Sequence, residues 1–267
     1  MENTPVITVI DVPLFDGNIP DFFHIFQQIF SEKDKSNKQV SFCDANVLVT
    51  SKNNAQLKEI LTKKTYLNMP DGMPGVWIGR LKGAKRIDRC YGPDVFEYII
   101  KHTSTNSKIK HFFTGGNKGV AEHLRNLCKR DFGNSNIVGV HCPPFSEISE
   151  DEIKDIATLI NSKNVDVVWV GISSPKQDIY AHRLSKYLSV HFIFTVGAAF
   201  DFFTGKVKQA PIFIQRSGFE WLFRLIMEPK RLWRRYIIVV PSFILYSIKD
   251  YFAFILKRLV KSLAAFI

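Results

Sequence analysis

The apolar residues of this chain arrive in two rhythms. Short continuous runs end in glycine or polar turns: residues 40–43 (VSFC), 46–50 (NVLVT), 111–114 (HFFT, before GGNKG), 137–140, 165–171 (VDVVWVG, before ISSPKQD) and 189–196 (SVHFIFTV, before GAAFD). Between them lie amphipathic stretches over residues 20–30, 54–62, 93–102, 119–129, 149–161 and 176–187. Runs that are apolar at every position predict strands buried on both faces, and their alternation with helices predicts a Rossmann-like, mostly parallel α/β sheet flanked by helices. Ligands bind such sheets beyond the carboxyl ends of the strands, where GGNKG, ISSPKQ and GAAFD all fall.

The alternation stops after residue 217. Residues 218–236 read as one helical stretch interrupted at Pro229. Residues 237–248 are apolar, but Pro241 interrupts them and Lys249 and Asp250 end them. A spanning helix needs about 20 apolar residues, so the tail predicts one or two interfacial helices rather than a bilayer crossing. A helical hairpin packed on the sheet, or on a second copy, is the alternative. The expected division is a body over residues 1–217 and an amphipathic helical appendage over 218–267.

Charge sharpens this division. The net charge is +11, yet residues 216–267 alone hold ten Lys and Arg against three Asp and Glu. A uniformly basic chain would suggest nucleic acid. A basic, aromatic and apolar end suggests an anionic membrane surface or a phosphorylated lipid, and no nucleic acid. Cys43, Cys90, Cys128 and Cys142 show no CxxC spacing and read as reduced thiols. The N-terminus lacks the basic start and apolar run of a signal peptide, so a cytoplasmic setting is expected.

Candidate chemistry sits at the turns. Asp71 lies in NMPDGMPG, where Pro-Asp-Gly is a turn signal and could also hold a catalytic carboxylate rigidly. Gly115 and Gly116 open GGNKG, either a phosphate cradle at a helix start or a tight turn. In SSPKQD, Lys176 and Gln177 could grip a nucleotide, while Ser173 or Ser174 could cap the helix with Pro175 in its first position. Arg224 and Arg231 are seven residues apart, a spacing that shares a helix face, and Arg forks suit phosphate. A solvated basic face is the plainer reading, but Trp221 and Trp233 close by favour an interface. The seven histidines form no HxxxH or HxxE pair, so no metal site is expected. GxGxxG is absent, which argues against a dinucleotide oxidoreductase or methyltransferase.

NMPDGMPGVW, YGPDVFEYI, FFTGGNKGVAEHL, VDVVWVGISSPKQDIY, VGAAFDFFTGKVKQAP and GFEWLFRLIMEPKRLWRRY follow one another in the chain. This ordered set resembles the WecG/TagA/CpsF glycosyltransferases. The resemblance implies an inverting, metal-independent transfer from a UDP-sugar to a polyprenyl-diphosphate-linked saccharide, at the cytoplasmic face of a bacterial membrane, with no cofactor. It makes Asp71 the base and assigns Asn46, Gln177, Asp201, Arg224 and Arg231 to the substrate site. Asp44 stands where the family carries Thr, which would add a second carboxylate. Asp178 replaces a Glu, and Lys208-Gln209 replaces a pair of cations. A non-catalytic membrane protein of a polysaccharide-assembly complex is the alternative, with no need of Asp71 or Gln177. Homo-oligomerisation through the apolar tail is a further possible partnership.

Overall fold

A computed structural model describes residues 4–32, 35–104, 108–143 and 148–264. The chain opens on strands β1 (Val6–Val9) and β2 (Val12–Phe15), then helix α1 (Ile19–Ser31). Strand β3 (Lys38–Cys43) leads into α2 (Ala45–Asn53) and α3 (Ala55–Glu59), which ends in a π-helical turn over Ile60–Lys64. Next come β4 (Leu67–Pro70), α4 (Met73–Leu81) and α5 (Gly92–His102). Three strand–helix units follow: β5 (His111–Gly115) with α6 (Val120–Asp131), β6 (Ile137–His141) with α7 (Glu150–Ser162), and β7 (Val167–Gly171) with α8 (Lys176–Ser185). Strand β8 (Phe192–Thr195) precedes α9 (Ala199–Phe203), α10 (Ile212–Arg216), α11 (Glu220–Met227) and α12 (Pro229–Ala264).

The eight strands form one sheet in the order β1-β2-β4-β3-β8-β7-β5-β6. Only β1 runs antiparallel to its neighbour; the remaining pairings are parallel. The expected Rossmann-like sheet is therefore present. Alternate strand residues feed opposite faces, as the two-residue period requires. Phe113, Trp169 and Phe194 pack with Phe22 and Phe26 of α1 and Phe96 of α5. Phe112, Val168 and Ile193 face α7 and α8 instead. Trp169 stacks on Phe194 at 4.4 Å and donates its indole N–H to His111 Nδ1 at 3.1 Å. Burial pushes His111 down to about 3, so it stays neutral and can accept that bond.

Three segments differ from the expectation. Residues 46–50, expected as strand, lie in α2: the Asp44 carboxylate caps the helix by accepting from Val47 N at 2.8 Å, and Val47, Leu48 and Val49 are buried. The β1–β2 hairpin was not expected, because its Ile10-Asp11 turn lacks the glycine or asparagine that usually marks such a hairpin, yet both residues take positive φ, at 49° and 67°. The tail is a single 36-residue helix rather than a broken pair, long and apolar enough to cross a membrane. Pro241 lies on the exposed side of α12. Asp250 is tied to the body: its Oδ2 accepts from Lys82 Nζ at 2.8 Å and from Ile10 N at 3.0 Å. With Val239 and Phe243 packed beside Val47 and Leu48, this pair moors the first two thirds of α12 to the body.

Candidate active site

Strand register decides which side chains meet. Cys43 pairs with Pro70, Ser41 with Thr195, Val170 with Thr195, and Gly115 with Gly171. The residues just beyond these positions therefore line up along one edge of the sheet. They open on a cleft of about 730 Å³, closed on its other side by α11 and the start of α12. Asp44, Asn46, Asp71, Gly115, Gly116, Lys176, Gln177, Asp201, Arg224 and Arg231 all line it. Residues spread over most of the sequence thus share one cavity, in the size range of small-molecule sites.

Asp71 follows β4, and its N–H bonds to Cys43 O at 3.3 Å, which sets it beside Asp44. Its Oδ1 accepts the Gly92 N–H at 2.7 Å, leaving the second oxygen for a ligand. The residue is half-buried. Burial first, then the neighbouring Asp44 and Glu220 charges, push its carboxyl up to about 7, against the opposing pull of Arg89 and the Gly92 N–H. That is where a general base should sit near neutral pH. Asp44 spends Oδ1 on the α2 cap, a task that Thr or Asn would also perform. Its negative charge is therefore surplus to capping and acts on the cleft. Asp178 lies deeper, fully buried, with Oδ1 accepting from Thr195 Oγ1 at 2.9 Å; burial pushes it up to about 6.

The glycine turn is more constrained than a phosphate loop. Gly115 has φ +130°, and a Cβ there would lie 2.5 Å from the Gly171 backbone. The Gly116 N–H bonds to Gly171 O at 2.8 Å, so that donor is not free for phosphate. The pair shapes the wall by close strand approach. The serine caps expected for α8 are also absent: the helix has no side-chain cap, and Pro175 stands just outside it.

Unused polar atoms mark where a ligand would lie. Gln177 is 2% exposed and held by Nε2 on Thr195 O at 2.8 Å, while its Oε1 has no partner. The Ser174 and Tyr91 hydroxyls and Arg224 Nε are likewise buried and unpaired, and all four residues line the cleft. Native interiors rarely leave such atoms idle; ordered water or a bound ligand satisfies them. Tyr91 lies within the YGPD motif. Its tyrosine was not singled out because nothing in the local pattern separates a cleft phenol from a core ring.

The arginine wall is assembled differently from the expectation. The chain bends at Glu228 (φ −135°, ψ 57°), so Arg224 and Arg231 sit on separate helices and share no helix face. They converge through the bend. Arg224 lies over the Phe202 ring at 5.8 Å, and Arg231 donates to Glu228 Oε1 at 2.7 Å. Arg235, one turn after Arg231, joins the cleft as well. Arg234 instead lies over Trp233 at 5.3 Å. Among the described residues, no three His, Cys, Asp or Glu side chains gather to hold a metal ion.

Residues 7–255 match the model of the glycosyl transferase WecG/TagA/CpsF family. An N-acetylglucosaminyldiphosphoundecaprenol N-acetyl-beta-D-mannosaminyltransferase of Bacillus spizizenii is 28% identical over 191 residues, covering 72% of this chain and 71% of the relative. A Bacillus subtilis protein of the same name is 24% identical over 243 residues, 91% of each chain. The chain belongs to the WecG/TagA/CpsF family and is a glycosyltransferase.

Proposed function

We propose that this glycosyltransferase moves a hexose, N-acetylhexosamine or hexuronic acid, with an N-acetylmannosamine-type sugar most favoured, from a UDP-sugar to a polyprenyl-diphosphate-linked saccharide. The reaction serves bacterial surface polysaccharide synthesis. The two relatives' names supply the acceptor class and the favoured sugar. One observation carries the mechanism: a single carboxylate with a pKa near 7, Asp71, shares a cleft with arginines on separate helices.

Asp71 takes the proton of the acceptor hydroxyl as that oxygen attacks the anomeric carbon. The bond from that carbon to the UDP oxygen breaks, and its electron pair leaves with UDP. One displacement by the acceptor inverts the anomeric centre. Negative charge grows on the leaving diphosphate, where Arg224, Arg231 and Lys176 neutralise it without a metal ion. Gln177 Oε1 accepts from a hydroxyl of the donor, and the Ser174 and Tyr91 hydroxyls donate to its phosphate oxygens. Asn46 and Asp201 line the same walls and bind substrate.

The body over residues 1–217 holds the base, and the appendage over 218–267 supplies Arg224 and Arg231, closes the cleft and rests on the inner face of the plasma membrane. Ile237, Ile238, Leu245, Ile248, Phe252 and Leu256 are 49–68% exposed along α12, and anionic headgroups suit its lysines and arginines. The buried mooring at Lys82–Asp250 favours a helix lying along the surface over one crossing it. A panel of UDP-sugars with short polyprenyl-diphosphate saccharides, read by mass spectrometry and anomeric NMR, tests the reading. A product of inverted configuration in chelator is expected. Retention of configuration, or no product from any UDP-sugar, overturns it.

A further inference from the structure

The short arm of α10 and α11 is attached to the body in a way that apolar packing does not explain. Helix α11 has no buried residue, and α10 buries only Gln215. Phe213, Phe219 and Ile226 are 74%, 56% and 69% exposed. Apart from the Trp77 ring, which packs against Gly218 between the two helices, the attachment is polar and centres on one side chain, Arg89, which is 8% exposed. Its Nη2 donates to Glu220 Oε2 at 2.6 Å and its Nη1 to Gln215 Oε1 at 2.7 Å. Its Nε donates to the carbonyl oxygen of Asp71 at 3.1 Å, and its plane lies 3.9 Å from the Tyr91 ring centroid. Gln215 is itself fixed, with Nε2 on Ala210 O at 2.7 Å.

One guanidinium thus uses all three nitrogens, one on the backbone of the base and two on the arm. Glu220 begins α11, and Arg224 follows one turn later on the same side of that helix. Wherever Arg89 holds Glu220, it also aims Arg224 at the cleft. We propose that Arg89 is a positioning residue, a latch that seats the α10–α11 arm over the cleft and fixes the Asp71 loop in the same act. The inference rests on the glycosyl-transfer reading only for its consequence: the proton acceptor and the leaving-group cation are brought into place together. A lysine could keep the charge but could not span three acceptors set in a planar fork. A polar latch with little apolar burial behind it can also open and reclose, as substrate entry beneath the arm requires.

The rival account is that Arg89 and Glu220 merely set the charge around Asp71. The two accounts separate because Arg89 lowers and Glu220 raises the basicity of Asp71. The test compares Arg89→Lys, Arg89→Gln, Glu220→Gln and the Arg89→Gln/Glu220→Gln double variant in the full chain. Hydrogen exchange over residues 212–227 is read first. The latch predicts at least tenfold faster exchange there in each single variant, with nothing added by the double. It also predicts a similar fall in kcat, about tenfold, for Arg89→Gln and Glu220→Gln, and failure of Arg89→Lys to restore it. Opposite shifts of the pH profile with kcat intact would reduce Arg89 to a tuning charge and overturn the latch. Unchanged exchange over the arm would overturn it too, even if no UDP-sugar were turned over, so failure of the latch stays distinct from failure of the reaction assignment.

Discussion

The two walls of the cleft are built on opposite principles. The sheet-side wall comes from strand ends whose register is locked by parallel ladders: Asp44 beside Asp71, Gly115 against Gly171, Gln177 tied to Thr195 O. Its polar groups are short and half-buried or buried, and backbone hydrogen bonds hold them. The arm-side wall offers long cations, Arg224, Arg231 and Arg235, from helices whose apolar side chains largely point outward. The contrast suits the chemistry. A proton acceptor must be held to within fractions of an ångström of one hydroxyl, whereas charge neutralisation tolerates motion and gains from a wall that can lift to admit substrate.

The largest break in this comparison should come from the rigid wall. Asp71→Asn keeps the shape and the bond from the Gly92 N–H but removes the proton acceptor. Turnover should fall by about 10²–10⁴-fold, the usual worth of a positioned general base. UDP affinity by calorimetry should stay within a few fold. Full turnover in this variant would take Asp71 out of the reaction. On the arm-side wall, Arg224→Ala should cost about 10²-fold in kcat/KM, since its Nε is buried and free to meet an anion. Arg231→Ala should cost less, about tenfold, because Arg231 is exposed and shares its charge with Glu228. Equal losses would mean that the arm acts as one diffuse positive field, with no bound contact at Arg224.

The outward side of the arm gives a smaller and separable effect. Replacing Phe213 and Ile226 with Ser removes exposed apolar area while leaving the latch residues alone. Flotation with anionic vesicles should weaken by about tenfold, in line with the transfer free energy of two large side chains reduced by their partial insertion. Turnover of a water-soluble short-chain acceptor should be unchanged. A loss of soluble turnover equal to the loss of flotation would show that these side chains support the cleft itself.

The two walls also differed in how far the sequence exposed them. Continuous apolar runs ending in GGNKG, ISSPKQ and GAAFD announced strands, because burial on both faces leaves that pattern whatever the details, and the ends of these strands line the cleft. Asp71, Gln177 and Arg224 stood in distinctive motifs and do share the cleft. Arg89 escaped notice because its partners, Gln215 and Glu220, lie 126 and 131 residues away and no periodicity links them. Residues 46–50 misled because their β-branched run favours strand, while the Asp44 cap and burial against α12 decided for helix. The tail misled because Pro241 and the Lys249-Asp250 pair look like breaks. Tertiary contacts absorb the charge of Asp250, and the proline faces outward.

The finest distinction concerns the surplus charge of Asp44 within the rigid wall. Asp44→Asn retains an oxygen to accept the Val47 N–H, so α2 should remain capped and the fold unchanged. What disappears is a negative neighbour that raises Asp71. The sign follows directly. With that repulsion gone, Asp71 loses its proton at lower pH, so the acid limb of kcat/KM should move down from about 7. Asp178 feels the same charge and should ionise more readily too, but it is fully buried and tied to Thr195, so it should leave the profile alone. The maximal rate should change by no more than a few fold, since the base is weakened and not removed. A pH series of kcat/KM on Asp44→Asn, with circular dichroism to verify the fold, decides the point. An acid limb that stays in place would mean that Asp44 does not face Asp71 across the strand ends in the working enzyme, and a shift upward would mean that Asp44 stabilises the ionised base through a donor between them.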